Sequence, residues 1–355
     1  MNLRVLDLFC GAGGMSLGFK NAGFEIYGGI DFDQAAMETH NFNFDTKYHF
    51  CGDITKVTNQ EIEDKLKGII DGIIGGPPCQ GFSAANRWQK DEDDPRNRLF
   101  LDYLRFVKII QPKFFVIENV PQILTRDSGY AKQHILEITS ELGYEVSVDV
   151  LRASDYGVPQ IRRRAFFIGI RKDFNKKFDF KKIKPLFENT TVSEAIGDLM
   201  ELERNASFNT LLDKNRSPLQ EYYFADDQFF IENHELSEHA PNVVERIKYV
   251  PQGGNWKDVP AELWDTQRNN RHSSAYRRLD MNEPSITIDT GHMNYFHPIF
   301  HRVPTVRESA RIQTFSDNFI FKGTKTQQYR QVGNAVPPVL AHAIANEIIN
   351  NIKEK

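Results

Sequence analysis

Residues 4–14 read RVLDLFCGAGG. Val5, Asp7 and Phe9 alternate against Leu6 and Leu8 as a short buried strand, and Gly11, Gly13 and Gly14 then turn the chain into a helix carrying Met15, Leu17 and Phe19. A strand, a glycine turn and a helix in succession form one unit of an alternating α/β fold. The rhythm continues outward. Strands are expected at 25–30, ending in Asp31, then at a third segment ending near Asp53, at 69–74 running into Gly75-Gly76-Pro77-Pro78-Cys79, and at 114–117 closing on Glu118-Asn119. Leu99, Tyr103, Phe106, Val107 and Ile110 mark the apolar face of a helix over 98–111 that Pro112 stops. A helix at 130–142 and strands at 144–151 and 164–170 complete a mostly parallel sheet with helices on both faces.

From about 173 to 301 the rhythm fails, which marks a second, smaller and irregular module, with lysine-rich 173–184 as a boundary. Pro338 then opens a last helix whose Leu340, Ile344, Ile348 and Ile352 recur at four-residue steps, and this helix is expected to pack back on the first module.

Composition narrows the functional classes. Over 355 residues, 44 Lys and Arg against 48 Asp and Glu leave a net charge of −4, so any nucleic-acid site must be local. The longest apolar stretch, 69–76, falls short of the ~18 residues of a membrane span. Arg4 and Asp7 interrupt what would be a signal peptide's core. Cys10, Cys51 and Cys79 are an odd set without Cys-x-x-Cys spacing, which fits a reducing cytoplasm and argues against a disulfide framework or a zinc site. His292, His297 and His301 read as a solvated loop, because Pro298 excludes a continuous helix; no metal is expected.

Three clusters could carry chemistry. Asp31 lies 20 residues after Gly11, the usual distance from a glycine turn to a ribose-binding acid, yet Ser16 stands where the dinucleotide fingerprint has its third glycine. GGPPCQGFS at 75–83 puts the Cys79 thiol on an irregular loop just beyond a strand, where ligands of parallel sheets bind. Glu118, ending the neighbouring strand, is its natural proton donor. In Gln160-Ile161-Arg162-Arg163-Arg164, alternation sends Arg162 and Arg164 to one side, toward the site.

DLFCGAGG, GGPPCQGFS, IENV, QIRRR, RVPTVRESARIQTFSD and QVGNAVPP, in that order, resemble the ordered motifs of the cytosine carbon-5 DNA methyltransferases. The resemblance spans the chain except about 186–286. It implies a Rossmann-like, S-adenosylmethionine-dependent α/β fold, with residues 1–184 and 328–355 as the catalytic and cofactor domain and 185–327 as a target-recognition domain with hinge. Cys79 would add to carbon 6 of a flipped cytosine so that carbon 5 can take a methyl group. Glu118 would assist at ring nitrogen 3, Arg162 and Arg164 would hold the base and the catalytic loop, and Asn119 would order the Pro-Cys loop. The resemblance leaves open which group removes the carbon-5 proton, water included. The cofactor would meet Phe9, Gly11, Ala12, Gly13, Gly14, Asp31 at the ribose, Phe32 and Asp53 at adenine, Ile54, Pro78, Asn334 and Val336.

Double-stranded DNA is the implied partner, contacted through Gln80, Ser83, Arg87, Arg96, Arg98 and Thr287. The arginine-rich stretch from Arg268 to Arg311, with Tyr276, Tyr295 and Phe296 interleaved, is the expected sequence reader, although Phe296 also suits a core. A bacterial restriction-modification setting, a cognate endonuclease and a cytoplasmic monomer follow by analogy. Phe315-Ser316-Asp317, where the family has Phe-Pro-Asp, suggests a looser turn. The rival readings are a tRNA cytosine-5 methyltransferase of the same fold, a catalytically silent DNA-binding module and a dinucleotide oxidoreductase.

Overall fold

A computed structural model describes residues 3–78, 95–202, 216–224, 231–264, 276–291 and 294–352, with the backbone alone at 95–98, 126–127 and 201. Cys79, Gln80, Ser83, Arg87, Arg268, Arg271 and His292 lie outside the described residues, as do the side chains of Arg96 and Arg98.

In chain order the first unit holds β1 (Arg4–Leu8), α1 (Gly14–Asn21), β2 (Glu25–Asp31), α2 (Gln34–Asn43), β3 (Tyr48–Cys51), α3 (Asn59–Lys65), β4 (Gly72–Gly75), α4 (Pro95–Ile110), β5 (Phe114–Asn119), α5 (Tyr130–Glu141), β6 (Tyr144–Arg152) and β7 (Arg163–Arg171). Among the described residues these strands form one sheet in the order β3-β2-β1-β4-β5-β7-β6. Only β7 runs against its neighbours, Glu118 lying opposite Phe166 on one side and Leu151 opposite Arg164 on the other. Val5, Leu6 and Leu8 are fully buried, as a strand covered on both faces requires. Leu104, Phe106, Val107 and Ile110 of α4 pack into the same core as Phe115 and Ile117, and the Tyr103 hydroxyl donates to the carbonyls of Val116 (2.9 Å) and Ile73 (3.1 Å).

The expected last helix, Pro338–Ile352, belongs to this unit and lies against α1. Gly18 makes that approach possible. A Cβ there would sit against the Pro338 carbonyl oxygen and within 2.5 Å of Ala341 Cβ. Replacing Gly18 with valine is expected to cost at least about 2 kcal/mol by overpacking, read as a lower denaturant midpoint.

The described residues fall into two compact units: Met1–Arg152, Arg163–Leu186 and Pro338–Lys355 in one, Ala153–Arg162 and Phe187–Pro337 in the other. Residues 328–337, which the sequence reading groups with the cofactor domain, fall in the second, with the helix Lys325–Asn334. Among the described residues, no helix is long and apolar enough to cross a membrane.

The second unit is built on buried charge. Every residue of the helix Val306–Ile312 is buried. Arg302 forks onto Glu308 with two 2.8 Å bonds, and Arg311 onto Asp317 at 2.9 and 2.6 Å. Burial alone would raise the Glu308 carboxyl, but the bonds from Arg302 hold it at about 2. The Phe315-Ser316-Asp317 turn is not loose: the Ser316 carbonyl accepts from Arg307 and the Asp317 amide donates to the Tyr223 carbonyl.

Candidate active site

The turn between β1 and α1 departs from ordinary backbone geometry. Phe9, a bulky residue, takes φ 61°, followed by Gly11 at 53° and Gly13 at 98°. A Cβ on Gly13 would collide with Phe44 and His40, whereas one on Gly11 would meet nothing within 4 Å. Ala12 and Gly14 are buried, so Gly11 is the turn's open face.

Asp31, at the end of β2, accepts the Gly11 amide at 2.8 Å and the Asp33 amide at 2.9 Å. Its carboxyl is raised by burial, against the pull of those two amides. Phe32 follows with 78% of its surface exposed, unusual for an unpartnered aromatic ring. Asp53 is exposed beyond β3, where it caps the short helical turn Ile54–Lys56 by accepting the Thr55 amide at 3.0 Å. Ile54 itself is buried core. The sequence missed Arg105 of α4, whose guanidinium donates to the carbonyls of Ile54 (3.1 Å) and Val57 (2.8 Å) and so fixes this turn's far end.

A second group gathers at the ends of β4 and β5. Asn119 donates to the Pro77 carbonyl at 2.9 Å, and Arg164 pairs with Glu118 at 2.9 Å, both largely buried. A Cβ on Gly76 would stand 3.2 Å from Glu118 Oε2, so the carboxylate lies against the backbone three residues before Cys79. Pro77 is buried and Pro78 exposed.

Arg162 belongs to the second unit, where it is buried and donates to the Ile288 carbonyl at 3.2 Å. Gln160 beside it accepts the Ile288 amide at 2.9 Å, so both bond the residue after half-buried Thr287. Asn334 is exposed and Val336 buried, both in that unit.

The structure corrects the expected arginine reader at four of its arginines, Arg277 being half-buried and Arg268 and Arg271 outside the described residues. Arg278, Arg302, Arg307 and Arg311 are buried. Arg278 donates to the carbonyls of Val250, Ile247, His297 and Phe300, and Arg307 to those of Glu232, Ser316 and Phe319. These guanidiniums are buried on carbonyls and carboxylates inside the unit, which is a structural role. Tyr295 and Phe296 are likewise buried, as the core reading of Phe296 had it. His297 is not in a solvated loop: it is fully buried, accepts from the Ile299 and Phe300 amides, and burial holds it neutral, near a pKa of about 4.

Comparison with known proteins bears on both groups. The sequence profile of the family described as C-5 cytosine-specific DNA methylase matches residues 3–350. The chain is 38% identical to type II methyltransferase M1.HphI of Haemophilus parahaemolyticus, covering 98% of this chain and 87% of that protein. It is also 38% identical to M.DdeI of Desulfomicrobium norvegicum, covering 98% and 88%. A solved structure described as a DNA modification methyltransferase encoded within a prophage (E. coli) superposes with a TM-score of 0.80 at 31% identity, covering 99% of this chain and all of the other. The Entamoeba histolytica methyltransferase EhMeth shares the fold, with a TM-score of 0.63 at 17% identity over the full length of both chains.

Proposed function

The chain belongs to the C-5 cytosine-specific DNA methylase family, and on that premise we propose that it methylates carbon 5 of a cytosine in one duplex sequence, as the modifying half of a bacterial type II restriction-modification system. The observation that carries the reading is the Glu118 carboxylate, paired with Arg164 and laid against Gly76 while Asn119 holds the Pro77 carbonyl. Together they hold Gly76 and Pro77, three and two residues before Cys79.

Carbon 5 of cytosine is a weak nucleophile. In the proposed route the Cys79 thiolate forms a bond to carbon 6 while Glu118, in its protonated form, donates a hydrogen bond or its proton to ring nitrogen 3, leaving an enamine whose carbon 5 can attack. Arg164 keeps Glu118 in place. Once carbon 5 carries the methyl group, its proton leaves to water and the sulfur departs, restoring the double bond. The base must first leave the stack, at a few kcal/mol that contacts from the Gln80–Arg98 segment and from Thr287 offset.

The cofactor cradle fits a nucleoside better than a diphosphate. Gly11 leaves open space, Phe32 offers a bare ring face and Asp53 an exposed carboxylate, while the Asp31 carboxylate suits ribose hydroxyls and repels phosphate. S-adenosylmethionine, when bound, supplies an electrophilic methyl group. Phe9, Gly11 and Gly13 would flank its methionine end, Asp31 its ribose, Phe32 and Asp53 its adenine. Asp31→Ala is expected to weaken S-adenosylmethionine binding roughly 10- to 100-fold by titration calorimetry, with duplex affinity unchanged.

DNA is preferred to tRNA because the relatives at 38% identity are type II methyltransferases. Bisulfite sequencing of DNA from cells expressing the protein is expected to show protected cytosines in one sequence context. Unprotected DNA with label transferred to tRNA would overturn the reading.

A further inference from the structure

β1 carries a carboxylate where its neighbours in the core are apolar. Asp7 is 1% exposed. The Ser16 hydroxyl donates to it at 2.7 Å and the Ser16 backbone amide also faces it. Ser16 is in the first turn of α1, whose N-cap, Gly13, has no side chain to cap it. Asp7 therefore supplies from the adjacent strand the acceptor that an Asp or Ser at the N-cap provides in other helices. It ties the glycine turn to the sheet.

The surroundings add no positive charge. From α2, His40 Nε2 reaches Ser16 Oγ at 3.4 Å, and burial holds this imidazole neutral, at about 4. Burial keeps the Cys10 thiol and, from α4, the Tyr103 hydroxyl protonated. From β2, Asp31 acts on Asp7 as a second negative charge. Among the described residues, no lysine or arginine is among the principal groups acting on Asp7.

Resting on the cofactor reading above, we propose that Asp7 is a positioning residue that sets specificity: its buried carboxylate holds the glycine turn and, with Asp31, makes a negative potential there that favours a cationic ligand over a neutral one of the same shape. The methyl donor is a sulfonium cation and its demethylated product a neutral thioether, so the potential favours donor over product. Two like charges in a low-dielectric site are relieved by a cation and not by its neutral counterpart.

Such an anion costs stability. Burial, with Asp31 adding and Ser16 opposing, raises the carboxyl from 3.8 to about 7. The folded value lies above the unfolded one, so Asp7 favours the fold below about pH 4 and that contribution is lost as pH rises through about 7. A residue kept for structure alone would not show this trade.

The test is calorimetric titration of the full chain with S-adenosylmethionine and with S-adenosylhomocysteine from pH 5.5 to 9, for the wild type, Asp7→Asn and Ser16→Ala. The product-to-donor ratio of dissociation constants is expected to rise across about pH 7 in the wild type. In Asp7→Asn it should fall roughly tenfold at pH 8 and lose that rise, since the ligands' own titration is common to all three proteins. The Asp7→Asn melting temperature at pH 8 should equal or exceed the wild type's. Ser16→Ala, which removes a bond favouring the charged form, should move the rise to higher pH, and it decides the matter if Asp7→Asn does not fold. An unchanged ratio in Asp7→Asn, even with both constants weakened together, or an unshifted rise in Ser16→Ala, would overturn the proposal. A wild type that binds neither ligand would overturn the cofactor reading itself.

Discussion

The Cys79→Ala variant is expected to lose methyl transfer by on the order of 10⁵-fold while still binding S-adenosylmethionine and duplex DNA, because nothing else in the proposed route makes carbon 5 of cytosine nucleophilic. Radiolabel transfer and gel-shift binding separate the two effects. The groups around the approach to position 79 predict a graded series. Glu118→Gln keeps the shape beside Gly76 but has no proton to give, so its loss should be in kcat with little change in the Michaelis constant for DNA. An Asn119→Ala variant loses the bond to the Pro77 carbonyl, 2.9 Å in the structure, and is expected to show a smaller loss with the same signature.

Asp317→Ala is expected to destabilise the protein by about 3–5 kcal/mol, the largest stability effect foreseen for a single change. Asp317 and Arg311 are fully buried and share two bonds, and removal of the carboxylate leaves a buried guanidinium with Asp198, at 2.6 Å, as its remaining acidic partner. Asp198→Ala should cost less, because its side chain is partly exposed. Denaturant unfolding measures both. Either variant, where it folds at low temperature, should methylate the same sequence context as the wild type, since these side chains build the unit instead of reading bases. A changed context would return the buried arginines to the role their sequence suggests.

What could be read in advance was what is local along the chain. The β1 strand, the Gly11–Gly14 turn and α1 follow from the sixteen consecutive residues 4–19, and Leu340, Ile344, Ile348 and Ile352 announce a buried helix face from their spacing alone. Glu118 and Asn119 were visible because they end a strand, and strand ends in a parallel sheet gather at one edge. The burial of Arg311 is not legible because one of its two acidic partners, Asp198, lies 113 positions away while Asp317 is only six residues on, and the acceptors of Arg278 are backbone carbonyls with no sequence signature. A net charge counted over a window cannot see such partners. Asp7 is legible as part of a short buried strand but not as a site residue, because its partner Ser16 is set by the turn that follows. The sheet made it an interior residue by covering both sides. The second unit's claim on residues 153–162 was illegible too, since that excursion is set by the bonds of Gln160 and Arg162 to Ile288.

The covalent step admits a direct measurement. The protein is incubated with S-adenosylmethionine and a duplex carrying 5-fluorocytosine at the methylated position, whose fluorine cannot leave as a proton does, then denatured, digested and mapped by mass spectrometry. The proposed chemistry predicts a denaturant-resistant protein–DNA complex with the nucleotide attached to the peptide containing Cys79, and no complex from Cys79→Ala. A complex mapped to another residue, or full methylation of unsubstituted duplex by Cys79→Ala, would contradict it.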